Sequence, residues 1–123
     1  MCRVLTLRGR FLTQQVGGQS HTDLTARFQS ERTVAASPWC LCEAMRILEG
    51  AGLEVVAGQE AFPETAFYDI GAVVYYLRAI PWQVPDFRVE KYTRTLRALH
   101  CQIKQEGQWV VRGHRFYLEA WRR

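Results

Sequence analysis

Three sets of side chains in this 123-residue sequence have the types and spacing to do chemistry. Gln14 and Gln15 stand just before the glycine pair Gly17-Gly18. Adjacent amides can hydrogen-bond a small acceptor molecule and orient it, or one of them can satisfy a neighbouring loop. Tyr68, Asp69, Tyr75, Tyr76 and Trp82 crowd one aromatic stretch. Such rings can wall a pocket for a planar or apolar ligand, with tyrosine hydroxyls as polar tips, or can simply pack. Asp69 has the chemistry of a general base, but an Asp directly before an apolar run is more plainly a helix N-cap. His100 and His114 can trade protons near neutral pH. His100 borders an amphipathic run and His114 falls inside a β-rich run, where a histidine with satisfied ring nitrogens is the plainer role.

The four cysteines, Cys2, Cys40, Cys42 and Cys101, offer little. In an expected helix the pair at 40 and 42 points to different sides. That suits neither a disulfide nor a zinc knuckle, which prefers C-x₂₋₄-C spacing. Reduced thiols are expected, with Cys42 and Cys101 near the core, and no metal ligand is assigned.

The elements that position these residues read as one small α/β chain. Apolar residues make up 48% and charged residues 23%, a globular balance that argues against disorder. No apolar run reaches the ~20 residues of a membrane span. The opening MCRVLTLRGR lacks the apolar middle of a secretory signal, so a cytoplasmic location is expected. Fourteen of the sixteen basic residues are Arg, but they are spread from Arg3 to Arg123 rather than gathered in a stripe that tracks phosphates. Nucleic acid is therefore not the expected partner, and neither is a membrane.

Arg10–Val16 alternates between glycines and predicts a strand. Thr22-Asp23-Leu24 opens a short helix with Leu24 and Phe28 four apart, and Gln29–Ala36 is polar and irregular. Ser37-Pro38 predicts the start of a second helix, which Gly52 ends in a left-handed cap. Leu41, Met45 and Leu48 mark its apolar face, widened by Trp39, Cys42 and Ala44. A strand at Leu53–Ala57 follows, with Gly58 allowing a bend. Residues Phe62–Trp82 hold six aromatics; Asp69 would cap a nearly all-apolar helix from Ile70 to about Arg78. Val89, Tyr92, Leu96, Leu99 and Ile103 predict an amphipathic helix ended at Gly107, and Gln108–Trp121 predicts one long strand. No linker or repeat divides the chain, so 1–123 reads as a single partial domain with an aromatic insert at about 62–88.

Several separated motifs carry a resemblance: Arg3–Gly18 (RVLTLRGRFLTQQVGG), Leu48–Gly52 (LEGAG), Phe67–Ala72 (FYDIGA), Ile80-Pro81-Trp82 and His114-Arg115-Phe116. Together they resemble the C-terminal half of class I S-adenosylmethionine-dependent methyltransferases, with Arg3–Gly18 entering the family's fifth strand. Thr6-Leu7-Arg8 departs from the usual Lys-Pro-Gly there. The resemblance implies a partial Rossmann-like sheet made of strands equivalent to 5, 7 and 6, from a family order of 3-2-1-4-5-7-6 with the seventh antiparallel. It implies methyl transfer from S-adenosylmethionine to a small-molecule acceptor, with acceptor-side surface from Gln14, Gln15, Tyr68, Asp69, Tyr75, Tyr76 and Trp82.

The family grips its cofactor in the other half, through a glycine-rich loop and an acidic residue on the ribose. No G-x-G-x-G occurs here, so no cofactor-binding residue is assigned and S-adenosylmethionine should not bind this chain alone. Strand 10–16 would keep one edge unpaired, open to a second copy or to a complementary N-terminal half. The alternative is a non-enzymatic small α+β dimer that uses the aromatic insert to bind a partner.

Overall fold

The computed structural model describes residues 2–29 and 38–123. They cluster into two compact units. The first unit takes residues 2–20, 38–63 and 113–123, and the second takes 21–29 and 64–112.

The first unit is a three-stranded sheet covered by one helix. Strand β1 (Arg10–Val16) lies where the alternation places it. Helix α2 (Leu41–Gly50) then leads into β2 (Leu53–Ala61), and β5 (Arg115–Arg122) closes the chain. The order is β1-β5-β2, with β5 in the centre and antiparallel to both neighbours. Along β5, Phe116, Leu118 and Ala120 point to one face and are buried, beside Leu53 of β2 and Ala44 of α2. Burial of each large apolar side chain here contributes about 1.5–3 kcal/mol. The opposite face keeps Leu12 and Val16 exposed. Register pairs Phe11 with Ala120 and Gln15 with Phe116, which fixes β1 on its neighbour. Gly58, expected as a bend, lies within β2 instead, and the register shifts at Val55/Ala57, where a bulge leaves Val56 exposed.

Helix α2 starts later than Ser37-Pro38 predicts. Its first residue is Leu41 and its N-cap is the extended Cys40, which supplies no side-chain cap. The end is as expected, with Gly52 at φ 88° accepting the left-handed turn. Ser37 lies outside the described residues, as do residues 30–36 of the stretch expected to be irregular. Cys42 and Cys101 are exposed rather than near the core, because each falls on the solvent side of its helix.

The second unit holds α1 (Thr22–Phe28), β3 (Glu64–Phe67), α3 (Ile70–Ala79), α4 (Thr93–Glu106) and β4 (Trp109–Arg112). β3 and β4 pair antiparallel as a separate two-stranded sheet. The core joins Leu24 and Phe28 to Val73, Leu77, Leu96, Leu99 and Ile103. Spacings of three and four bring the α4 residues onto one buried stripe, whereas Val89 and Tyr92 precede the helix and pack from its approach. Asp69 caps α3 as its position predicts, accepting the Ala72 N–H at 2.8 Å. Gly107 ends α4 at φ 86°.

The tail predicted as one strand is two, β4 and β5, in different sheets. The break falls at Gly113-His114, so His114 is not a mid-strand residue. Among the described residues no helix is long and apolar enough to cross a membrane.

Candidate functional site

His114 is the most chemically constrained side chain of the first unit. Its ring is 1% exposed. The Gln19 N–H donates to Nδ1 at 3.1 Å, so Nδ1 must carry a lone pair. Nε2 stands 2.8 Å from Glu60 Oε2 and must therefore carry the hydrogen. Two hydrogen bonds thus select one neutral tautomer. Phe62 stacks on the ring at 4.7 Å between centroids and 14° between planes.

Gly17 makes this packing possible. A Cβ there would stand under 3.0 Å from three atoms of the imidazole, so any side chain would displace the ring. The Gly17 N–H also donates to the His114 carbonyl at 2.7 Å. The chain turns away from β1 here, and Gly18 N–H reaches the Trp39 carbonyl at 2.7 Å.

Glu60 completes the arrangement. Its Oε2 accepts from His114 and from the Leu41 N–H at 3.1 Å, which supplies the start of α2 with the acceptor that Cys40 lacks. Those two bonds, His114 first, hold the Glu60 carboxyl below its ordinary range against a smaller opposing effect of burial. A carboxylate facing the N-terminus of a helix is favoured by the helix dipole as well. Both imidazole nitrogens are engaged and the ring is sealed, so His114 pins β1, β2, β5 and α2 together. In this arrangement it offers no free nitrogen to a substrate.

The glycine pair therefore has a structural occupant. The space beside Gly17 is filled by the His114 imidazole. Gln14 is exposed on the sheet, and Gln15 turns back to donate to Thr13 Oγ1 at 2.8 Å.

The remaining expected residues belong to the second unit. Tyr68 (70% exposed) and Asp69 line a groove of about 410 Å³ with Ile70, Gly71, His100 and Lys104. Ile70 and His100 also line a second groove, of about 330 Å³, with Val74, Leu96 and Arg97. Tyr76 is not a groove residue. Its hydroxyl meets His21 Nε2 at 2.7 Å and its ring packs on Phe67. Nearby, Gln83 Nε2 donates to Thr25 Oγ1 at 2.7 Å, tying α1 to the segment after α3. Tyr75 and Trp82 are 77% and 72% exposed and line neither groove. Asp69 spends one oxygen on the helix cap.

A further polar cluster escaped sequence reasoning. Asp86 accepts from Tyr92 Oη at 2.8 Å and from Gln29 Nε2 at 3.2 Å, and it pairs with Lys91. Lys91 first, and then the Tyr92 hydroxyl, hold its carboxyl well below the usual carboxylate range. Burial, and then the hydrogen bond to Asp86, push the Tyr92 phenol upward. Only the spacing of an Asp and a Lys five apart could have signalled this, and that pattern is common on surfaces. No group of three His, Cys, Asp or Glu residues among the described residues is placed to hold a metal ion.

A crystal structure from Bacillus halodurans C-125, of a protein named as a candidate methyltransferase, is similar to this chain at a TM-score of 0.49 and 14% identity. The likeness covers 98% of this chain and 54% of that one, so this chain spans about half the length of that protein. No protein-family model and no curated protein matches the chain.

Proposed function

We propose that this chain is the C-terminal portion of an S-adenosylmethionine-dependent methyltransferase, contributing to the side that receives a small-molecule acceptor. On this reading it does not hold the cofactor alone. The observation that carries it is the strand order β1-β5-β2 with an antiparallel centre. Taken as the family's strands 5, 7 and 6, these three have the expected order and the expected reversed strand. The imidazole filling the space at Gly17 supports the second part, since the chain's one glycine pair serves internal packing.

The sheet stops at β1, whose second edge has no strand beside it among the described residues. Its middle, Leu12-Thr13-Gln14-Gln15, is uncharged, and such an edge pairs readily with another strand. The partner on this reading is a complementary N-terminal half, or a second copy when that half is missing. The test is the coding sequence upstream of codon 1. The proposal expects a reading frame, continuous or frameshifted, that encodes a glycine-rich strand–loop–helix. An upstream region without one overturns it.

A second reading, a non-enzymatic α+β dimer that binds a partner, draws on the exposed Leu12, Val16, Tyr75 and Trp82. Light scattering separates the two when combined with cofactor titration. Uptake of S-adenosylmethionine by the chain together with a supplied N-terminal half, but not by the chain alone, supports the first reading; a tight dimer that takes up none in either case favours this module. A stable, dilute monomer counts against both forms of edge pairing.

A further inference from the structure

The second unit carries a feature that neither the methyl-transfer reading nor its packing uses. Thr93, Arg97, His100 and Lys104 follow one another on α4 at steps of four, three and four, so they form one stripe beside the buried stripe of Leu96, Leu99 and Ile103. That stripe borders the two grooves between α3 and α4, which share Ile70 and His100. From Thr93 to Lys104 it runs about 16 Å at the helical rise per residue.

The two halves differ in chemistry. The half at Val74, Val89 and Leu96 has almost wholly apolar walls. The half at Tyr68, Asp69 and Lys104 is mixed. Among the described residues, Arg97 and Lys104 have no carboxylate within ion-pair distance, whereas Arg10, Arg46, Lys91, Arg112 and Arg123 each have one. Asp69 is the one acid in the lining, and its Oδ1 accepts the Ala72 N–H. A long apolar floor beside two unneutralised cations is complementary to one kind of small molecule.

We propose that the α3/α4 groove binds a single anionic amphiphile, an unbranched alkyl carboxylate, with its chain along Ile70, Val74 and Leu96 and its carboxylate between Arg97 and Lys104. Carboxylate chemistry is favoured because a guanidinium and an ammonium supply charge-assisted donors. The alkyl part is favoured because each buried methylene contributes to binding without any directional demand. Its mixed half shares Tyr68 and Asp69 with the acceptor-side surface that the resemblance implies, but the site stands whether or not the chain belongs to a larger enzyme.

The test is titration of the full 123-residue chain with dodecanoate below its micelle concentration, followed by methyl NMR and calorimetry. The expected result is saturable one-to-one binding that shifts the methyls of Ile70, Val74 and Leu96. Shortening the chain to decanoate should weaken binding, by up to about fourfold for each methylene that was fully buried. Dodecyltrimethylammonium, with the same tail and opposite charge, should bind at least tenfold more weakly. The double variant Arg97→Ala/Lys104→Ala should erase that preference while leaving the circular dichroism spectrum unchanged.

Shifts confined to other methyls overturn the proposal, as does equal affinity for the two headgroups on the unaltered chain. Association with anionic vesicles but no uptake of dodecanoate overturns it too, because that assigns the basic stripe to a lipid surface. The headgroup and chain-length series need no variant, so the proposal stays testable if the double variant fails to fold.

Discussion

Replacing Gly17 with Ala tests the His114 centre most sharply. The new Cβ would fall under 3.0 Å from three ring atoms, and the neighbour is a sealed imidazole that cannot swing into solvent. Overpacking of this kind costs about 1–3 kcal/mol. Relief by moving the ring breaks the bond from Gln19, worth about 1 kcal/mol, and the charge-assisted bond to Glu60, worth about 1.5–3 kcal/mol. Glu60 is partly exposed and can regain water, so the lower end of that range applies. Either response costs about 2–3 kcal/mol, or a fall in Tm of roughly 10 °C for a chain of this size. Gly50→Ala is the matched control. Nothing lies within 4 Å of a Cβ there and the site is helical, so that change should stabilise by up to about 1 kcal/mol.

Thermal unfolding is followed by far-ultraviolet dichroism, with ¹⁵N NMR of the imidazole reporting whether the hydrogen stays on Nε2. Combining Gly17→Ala with His114→Ala should cost clearly less than the sum of the two single changes, since the methyl then enters space the ring has left. If Gly17→Ala changes stability by less than about 0.5 kcal/mol, as a substitution at an ordinary surface site does, the packing described for His114 is wrong.

Three other changes follow from the same geometry. Glu60→Gln should cost about 1 kcal/mol at neutral pH, discounted for exposure, and should flatten the acid limb of the stability curve. Because the folded carboxyl lies below its ordinary value of 4.5, its contribution is complete above that value and is lost as pH falls beneath it, which denaturant titrations from pH 7 to pH 3 will read. Asp86→Asn should lower the Tyr92 phenol toward the range that burial alone sets, seen as an earlier alkaline shift of its ring ¹³C signal; an unmoved titration would show that the Asp86 charge does not reach it. Gly107→Ala meets no neighbour, so its whole cost is the left-handed backbone at φ 86°, about 1 kcal/mol by urea unfolding.

Local pattern made β1, α3 and α4 readable. Alternation, an Asp cap and a spacing of three and four are each written in neighbouring residues. Strand order was not accessible from local pattern, because nothing in Arg115–Arg122 says that it lies between β1 and β2. The split of the tail into β4 and β5 was hidden because Gly113-His114 interrupts a run that is β-rich on both sides. The two compact units left no trace in composition, since each is assembled from separated segments without a linker between them. Glu64–Phe67 escaped as a strand because its four residues sit in an aromatic stretch with no alternation long enough to register.

The expected site residues divide along the same line. Asp69 was legible as a cap because capping is local. The hydrogen bond from Tyr76 to His21 spans 55 positions, and that from His114 to Glu60 spans 54. Partners that far apart meet only through the fold. The role of Gly17 was hidden for the same reason, since the ring that needs it lies nearly a hundred residues downstream.

The central claim is that this chain lacks what holds the sulfonium donor. Isothermal titration of S-adenosylmethionine into the purified chain measures that directly. The account predicts no saturable heat at any accessible concentration. A one-to-one isotherm with a Kd in the micromolar range or tighter would contradict it.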